Sequence, residues 1–543
     1  MKKVELTFIL SLLCAVVSPA GAANNGAPVI DLGYAQYQGA FDSTNNLTNY
    51  LGIRYAEPPI GDLRWKAPQS PAINNTVIQQ VNTQPPPCFQ APAGTASSNP
   101  YKLSKRGVDV TGDPTEDCLF LNVYFPGDVV PTVPLPTIVW IHGGGYLGGS
   151  ADMYPGSDLI RESNNEIVLV IIQYRLGVFG FLPGSEVKAN GALNAGLLDQ
   201  NFALRWVHTH KFVRSQSSAG TPQKSPYGES LQYQRAVVGA GSVLQHIVAE
   251  DGQTSPQLFR GAITSSSFLP SQYMYNDSIP ESLYSEVVSQ ANCSSKEDSL
   301  ACLREVDATA LESINTAING AGFYGLFVFI PVIDGSFITQ RPTESLRQGK
   351  VNGKALLSVT NTNEGVIFVN ETNPMNASLY ASEVFPRFGP QEANATARLY
   401  APFGSLFVQD ELIMGESIFI CPTYYLLNAF QDNAWKGEFA IPPATHGNDV
   451  PYYYPSIEPP PFNNTDFLAA FQGGFLSFVV SQNPNEKIAP TITPYWERYA
   501  RGNTEMVFNQ TESNQTDIHD NTTSKYLLER CKFWEGVGYL TAQ

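Results

Sequence analysis

Charge is scarce in this chain. Only 15 % of its 543 residues are Asp, Glu, Lys or Arg, and 32 basic residues face 49 acidic ones, for a net charge of −17. So acidic a chain is a poor partner for nucleic acid or for anionic lipid surfaces. Histidine is rarer still, at six residues. Neither C-x-x-C nor H-E-x-x-H occurs, so a zinc site lacks its usual ligands and no metal or other cofactor is implied. Beyond the first residues no apolar run is long enough to span a bilayer. The C-terminal residues Gly538 to Gln543 lack the hydrophobic tail of a lipid anchor. No internal repeat and no long linker interrupts the sequence.

Apolar residues make up 43 % of the chain, enough for a sizeable core. Lys2 and Lys3, the apolar run Leu6 to Val17, and the small residues Ala20, Gly21, Ala22 and Ala23 predict a secretory signal peptide over 1–22. The remainder, 23–543, is predicted to form one domain. Of seven cysteines, Cys14 falls in that leader. The other six, Cys88, Cys118, Cys293, Cys302, Cys421 and Cys531, form an even set suited to an oxidising compartment, with fifteen pairings possible on paper. Acceptor sequons for N-glycans begin at Asn46, Asn74, Asn276, Asn292, Asn370, Asn376, Asn394, Asn463, Asn509, Asn514 and Asn521. The last three predict a solvated, mobile surface stretch. Together these features point to a secreted, extracellular glycoprotein.

Apolar runs at Thr137–Ile141, Ile167–Gln173, Gly261–Ser265 and Ala355–Thr360 read as strands, and Asn194–His208, Val243–Glu250 and Glu281–Ala291 as helices. The strands do not alternate polar with apolar, which suits a sheet covered on both faces. Strand and helix alternating along the chain predict an α/β fold with a large, mostly parallel central sheet flanked by helices.

The strand Thr137–Ile141 runs straight into His142-Gly143-Gly144-Gly145. Glycine loops let bare N–H groups approach a ligand, and two such groups can bind the oxyanion of acyl transfer. No Lys-Ser/Thr follows to complete a P-loop. Further on, Gly228-Glu229-Ser230 matches the first half of G-x-S-x-G, the sharp strand-to-helix turn that presents a nucleophile. Its second glycine is missing, since Leu231 and Gln232 follow, and the approach Lys224-Ser225-Pro226-Tyr227 is unsuited to a central strand. In this motif class the acid follows the nucleophile and the histidine comes last. His142, His208, His210 and His246 come too early, and His519 lies among the sequons. His446, in Thr445-His446-Gly447-Asn448-Asp449 beside tyrosines 452–454, is the candidate base. Glu364, just past the run Ala355–Thr360, reads equally well as a catalytic acid or a solvated turn residue.

Taken together the chain resembles the type-B carboxylesterases, the α/β-hydrolase family of cholinesterases and some fungal lipases, and looks most like a secreted fungal member. The resemblance spans nearly all of 23–543. It rests on Tyr50-Leu51-Gly52-Ile53-Arg54-Tyr55-Ala56-Glu57-Pro58-Pro59, Leu63-Arg64-Trp65, Glu116-Asp117-Cys118-Leu119-Phe120-Leu121-Asn122-Val123, the glycine loop, Tyr174-Arg175-Leu176-Gly177, Asn194-Ala195-Gly196-Leu197-Leu198-Asp199-Gln200, Pro331-Val332-Ile333-Asp334-Gly335, Asn363-Glu364-Gly365 and His446-Gly447. It implies ester hydrolysis by a triad of Ser230, Glu364 and His446 through an acyl-enzyme. Gly144, Gly145 and Leu231 would donate to the oxyanion. It further implies disulfides Cys88–Cys118, Cys293–Cys302 and Cys421–Cys531. The family's choline-binding tryptophan has no counterpart between Cys88 and Cys118, so choline esters are not the expected substrate. The same loop is too polar for an interfacial lid, which predicts soluble esters of modest acyl length.

The family pattern breaks from Lys211 to Val238 and resumes at Gly239-Ala240-Gly241-Ser242. One reading is an active esterase with a local gene-model fault. The other is a catalytically impaired, cholinesterase-like binding protein. In either, the residues from Leu231 to Val238 are expected to push the following helix away from Ser230.

Overall fold

In the computed structural model, residues 26–99, 114–210, 235–238 and 241–543 are described. The expected leader, Ser230 and Leu231 lie outside them. In chain order the strands are β1 (Val29–Asp31), β2 (Ala35–Gln38), β3 (Ala40–Asp42), β4 (Leu47–Arg54), β5 (Asn74–Gln80), β6 (Phe120–Pro126) and β7 (Thr137–Ile141). They continue with β8 (Val168–Ile172), β9 (Arg235–Val238), β10 (Gly261–Ser265), β11 (Ala355–Asn361), β12 (Ala434–Phe439), β13 (Thr504–Gln510) and β14 (Thr516–Thr522).

An eleven-stranded sheet has the order β14-β13-β12-β11-β10-β9-β7-β8-β6-β4-β3. Its centre, from β8 through β7 to β13, is parallel. The flanks, β3-β4-β6-β8 on one side and β13-β14 on the other, are antiparallel. β1, β2 and β5 form a separate small sheet. The strand order reverses around β7 and β8, and in open α/β sheets ligands bind beyond the carboxyl ends of the strands at such a reversal.

The sheet is covered on both faces, which is why its central strands read as unbroken apolar runs. Val139 and Ile141 of β7, with Val168, Val170 and Ile172 of β8, join one hydrophobic cluster. Their alternates Ile138, Trp140, Leu169 and Ile171 join the other. The helix Ala195–Thr209 buries Leu197, Leu204 and Trp206, and the helix Gly241–Val248 is buried along its whole length. Each large aliphatic side chain so placed contributes roughly 1.5–3 kcal/mol. This is the α/β-hydrolase fold.

One expectation changes. The sequon-rich segment Asn509–Asn521 is not a mobile stretch: β13 and β14 pair over seven residues, from Thr504↔Thr522 to Gln510↔Thr516. β13 also pairs with β12 and buries Met506 and Phe508 in the core, so a segment polar on its outer face is anchored by its inner one. The expected separation of the following helix from Ser230 lies outside the described residues. β9, made from residues inside the divergent stretch, fills the place between β7 and β10, and Gly239 and Ala240 alone separate it from the helix Gly241–Val248.

Disulfides join Cys88 to Cys118, Cys293 to Cys302 and Cys421 to Cys531, closing separations of 30, 9 and 110 residues. Chain-entropy reasoning assigns about 5 kcal/mol to the longest loop and about 2.6 kcal/mol to the shortest. Replacing Cys421 and Cys531 by alanine should therefore lower the unfolding midpoint about twice as far as replacing Cys293 and Cys302, measured by thermal or guanidinium denaturation. Equal shifts would contradict this ordering.

Candidate active site

β7 ends at Ile141, and the chain turns at once through His142 and the three glycines. Gly144 and Gly145 hold φ of 106° and 62°, which an L side chain adopts only with strain. Space forbids a side chain as well. A Cβ on Gly144 would lie 2.3 Å from the Gly148 carbonyl oxygen, and one on Gly145 would lie 2.7 Å from the Phe327 ring. The Gly144 carbonyl accepts from Leu147 and Gly148 N–H, closing the turn. Neither the Gly144 nor the Gly145 N–H meets an acceptor among the described residues.

His142 is a strut of this loop. Its ring stacks on Tyr174 with centroids 4.4 Å apart, and the Tyr174 hydroxyl donates to the His142 carbonyl at 2.9 Å. Burial pushes the imidazole down to about 4, so it is neutral over most of the pH range.

Glu364 follows β11 and is buried, with its side chain wholly shielded. The solvated-turn alternative therefore falls away. Oε1 accepts from the Asn361 backbone N–H and from the Ser266 hydroxyl, both at 2.7 Å. Oε2 lies 2.6 Å from Nδ1 of His446. The acid loop is pinned to the histidine loop by the Asn363 N–H, which donates to the Ala444 carbonyl at 2.9 Å. Within the second loop, Asn448 Oδ1 accepts from both the N–H and the hydroxyl of Thr445. The His446 ring packs near Phe368 and Phe419, at centroid distances of 5.1 and 4.7 Å. Its side chain keeps 26 % exposure, so one face of the imidazole remains reachable.

Two supporting residues escape sequence reasoning. Ser266 sits just past β10 at φ 58°, a left-handed conformation uncommon for serine, and it aims its hydroxyl at Glu364. Asp449 is fully buried. Its Oδ1 accepts from Asn361 Nδ2 at 3.2 Å, and its Oδ2 accepts from the Ser265 hydroxyl. Burial, reinforced by the nearby Glu364 charge, raises its pKa against these hydrogen bonds. The only signal for Asp449 was its place three residues after His446.

A cleft opens beside Phe368 and Phe419 and is lined by Phe268, Leu326, Phe327 and Ile330. Among the described residues its polar wall is limited to residues such as Asn99, Ser271 and Tyr273, with no ionised side chain. An apolar ligand arm with a polar reacting end suits such a cleft. Among the described residues no group of His, Cys, Asp and Glu could hold a metal ion, and no helix is long and apolar enough to cross a membrane.

Ser230 and Leu231 are outside the described residues, but their place in chain order can be compared with the sheet. The strand between β7 and β10 is β9, which comes after Ser230. The residues between β9 and the next helix are Gly239 and Ala240, neither a nucleophile. Ser242, in the first turn of that helix, is buried, and its Oγ accepts from Gln200 at 2.9 Å.

In an active form of the chain, replacing His446 by alanine should cut ester turnover by about 10⁴–10⁶. His519, half exposed on β14 beside Asp517, should be dispensable. Steady-state rates of the two alanine variants check this; a large loss from the His519 change would reassign the base.

Comparison with known proteins identifies the family. Residues 27–385 match the carboxylesterase family. The chain is 28 % identical to carboxylesterase patB of Aspergillus clavatus, over 90 % of this chain and 94 % of that one. It is 29 % identical to lipase 1 of Geotrichum candidum, over 84 % and 87 %. The crystal structure of Aspergillus niger EstA superposes with a TM-score of 0.80 at 28 % identity, covering 96 % of this chain and all of that one. PNB esterase, 22 % identical with a TM-score of 0.72, shares the fold. With the family matched over more than half its length and the same fold throughout, the chain belongs to the carboxylesterase family.

Proposed function

We propose that this chain, a carboxylic ester hydrolase by family, is a secreted serine esterase whose machinery is Ser230, His446 and Glu364. The observation that supports this reading is the 2.6 Å contact of His446 Nδ1 with the buried Glu364 carboxylate. With Nδ1–H donating to Glu364, Nε2 is left as the base. Ser230 Oγ attacks the ester carbonyl as Nε2 takes its proton. The tetrahedral oxyanion is held by the N–H groups of Gly144, Gly145 and Leu231. His446 then protonates the leaving alcohol, and water, activated by the same nitrogen, releases the acid from the acyl-enzyme. Residues 1–22 would be removed on export, leaving 23–543 as one catalytic domain. The lack of an ionised wall among the described residues of the cleft argues for neutral esters over choline esters, and the polar loop between Cys88 and Cys118 argues for soluble esters of modest acyl length.

A second reading has its own observation. β9 follows Ser230 instead of preceding it, whereas a nucleophile elbow needs the order strand, serine, helix. A serine that follows its strand is held by it within about 0.5 Å of productive geometry, and the order found here, serine and then strand, does not supply that support. Loss of one oxyanion donor alone costs about 10²–10³ in rate. As the sequence stands, the chain is then a poor esterase in an otherwise intact frame.

An organophosphate probe separates the two. Little labelling of the chain as written, and ready labelling once an apolar strand followed by Gly-Glu-Ser-Ala-Gly is restored, would establish the impaired reading. Stoichiometric labelling at Ser230 in the unaltered chain would overturn it. The reactive form should also turn over a soluble short-chain ester faster than an emulsified long-chain triglyceride; comparable rates would refute the substrate assignment.

A further inference from the structure

A strand at the edge of a sheet offers unpaired N–H and C=O groups to any passing chain, and proteins blunt such edges with charge, proline or cover. β5 is an outer strand of the small sheet, and apart from a bulge near Asn74 it has none of the usual devices. Its sequence, Asn74-Asn75-Thr76-Val77-Ile78-Gln79-Gln80, contains no charged residue and no proline. Apolar side chains stand out from it instead: Ile73 is 79 % exposed, Val77 60 % and Ile78 46 %. An uncharged, apolar open edge is a self-association site unless something covers it.

The strand does carry an acceptor sequence, Asn74-Asn75-Thr76, exposed at all three positions. The Thr76 hydroxyl donates to Asn74 Oδ1 at 3.0 Å, while Asn74 Nδ2 has no partner among the described residues. The neighbouring Asn75 amide is already engaged, donating to the Gly33 carbonyl at 2.9 Å. The ladder also breaks here. Ala35 pairs with Asn74 but Gln36 pairs with Ile78, so residues 75–77 bow out of the register. Asn74 thus stands at the head of the exposed apolar bulge.

We propose that Asn74 carries an N-linked oligosaccharide that covers the β5 edge and keeps two copies of this chain from pairing there. The proposal rests on the secretory reading above. In the attachment step, Asn74 Nδ2 displaces an isoprenoid diphosphate from C1 of a lipid-linked oligosaccharide. The N–C bond forms as the C–O bond breaks, the diphosphate leaves with the electron pair, and the amide sheds one proton. A hydrated branched sugar cannot extend a β ladder and holds a second backbone beyond hydrogen-bond reach. The same placement recurs at both ends of the large sheet. Asn46 lies exposed in the turn beside β3, and Asn521 is exposed on β14. There, however, β14 also has Asp517 and Asp520, so β5 is the edge that depends on its sugar.

The test uses the full chain secreted from a eukaryotic host, with glycopeptide mass mapping and sedimentation velocity. Asn74 should be occupied and the protein should sediment as a single boundary. N74Q, and wild-type protein stripped of N-glycans after folding, should both shift to faster boundaries. N74Q/V77K, which puts a charge on the bare edge, should restore the original one. Asn74 found bare on a chain whose other sequons are filled overturns the proposal alone, and so does an unchanged boundary for N74Q and the stripped protein. A secreted chain bare at every sequon overturns it as well, leaving secretion intact; failure to enter the secretory route overturns both readings. Should N74Q not be secreted, the stripped wild-type protein gives the same readout.

Discussion

The site depends on keeping one negative charge stable in a place water does not reach. A lone carboxylate taken from water into a protein interior would take up a proton instead. Glu364 meets a backbone N–H, a serine hydroxyl and an imidazole N–H, one set to each oxygen. These partners come from β11, from the end of β10 and from the loop after β12. The order of neighbouring parallel strands is what brings them together at the carboxyl edge. Register matters for the same reason, since a slip of one residue in β10 against β11 would turn Ser266 away from the acid. The pairing of Glu364 with His446 is in this sense a property of the sheet, more than of either loop.

Much of this frame could be read in the sequence. β7 and β10 coincide with the apolar runs from Thr137 to Ile141 and from Gly261 to Ser265, because a strand buried on both faces writes its burial into every residue. Glu364 and His446 were legible from chain order and from the motifs around them. The family-like blocks turn out to hold structural pairs: Arg64 with Glu116, Arg175 with Asp199, and Asn194 with Asp334. Removing one partner of a buried ion pair such as the first two costs roughly 3–5 kcal/mol, which gives these residues a structural role.

What escaped has physical reasons. β9 is four residues long and follows a polar stretch, so its identity as a strand comes from β7 and β10 on either side and not from its own pattern. β13 and β14 were hidden because their outer face is sequon-rich and polar, while only Met506 and Phe508 mark the inner one. Ser266 and Asp449 are single polar residues with no local periodicity, and their partners lie far away in sequence. Phe327 and Phe419 frame the glycine loop and the histidine from segments that carry no motif.

The imprisoned imidazoles have a cost beyond chemistry. Besides His142, His246 is wholly buried, and its pKa is pushed down to about 3. In the folded chain neither takes up a proton until the medium is strongly acid, whereas the unfolded chain binds protons at both from about pH 6.5 downward. Between that point and about pH 4 for His142, or about pH 3 for His246, each step toward acid therefore favours the unfolded chain. Below those values both states are protonated and the drain stops. The glycine loop after β7 is thus held by a residue that resists acid locally while taxing the whole molecule for it, and folding itself sets a lower bound on the pH range of the protein.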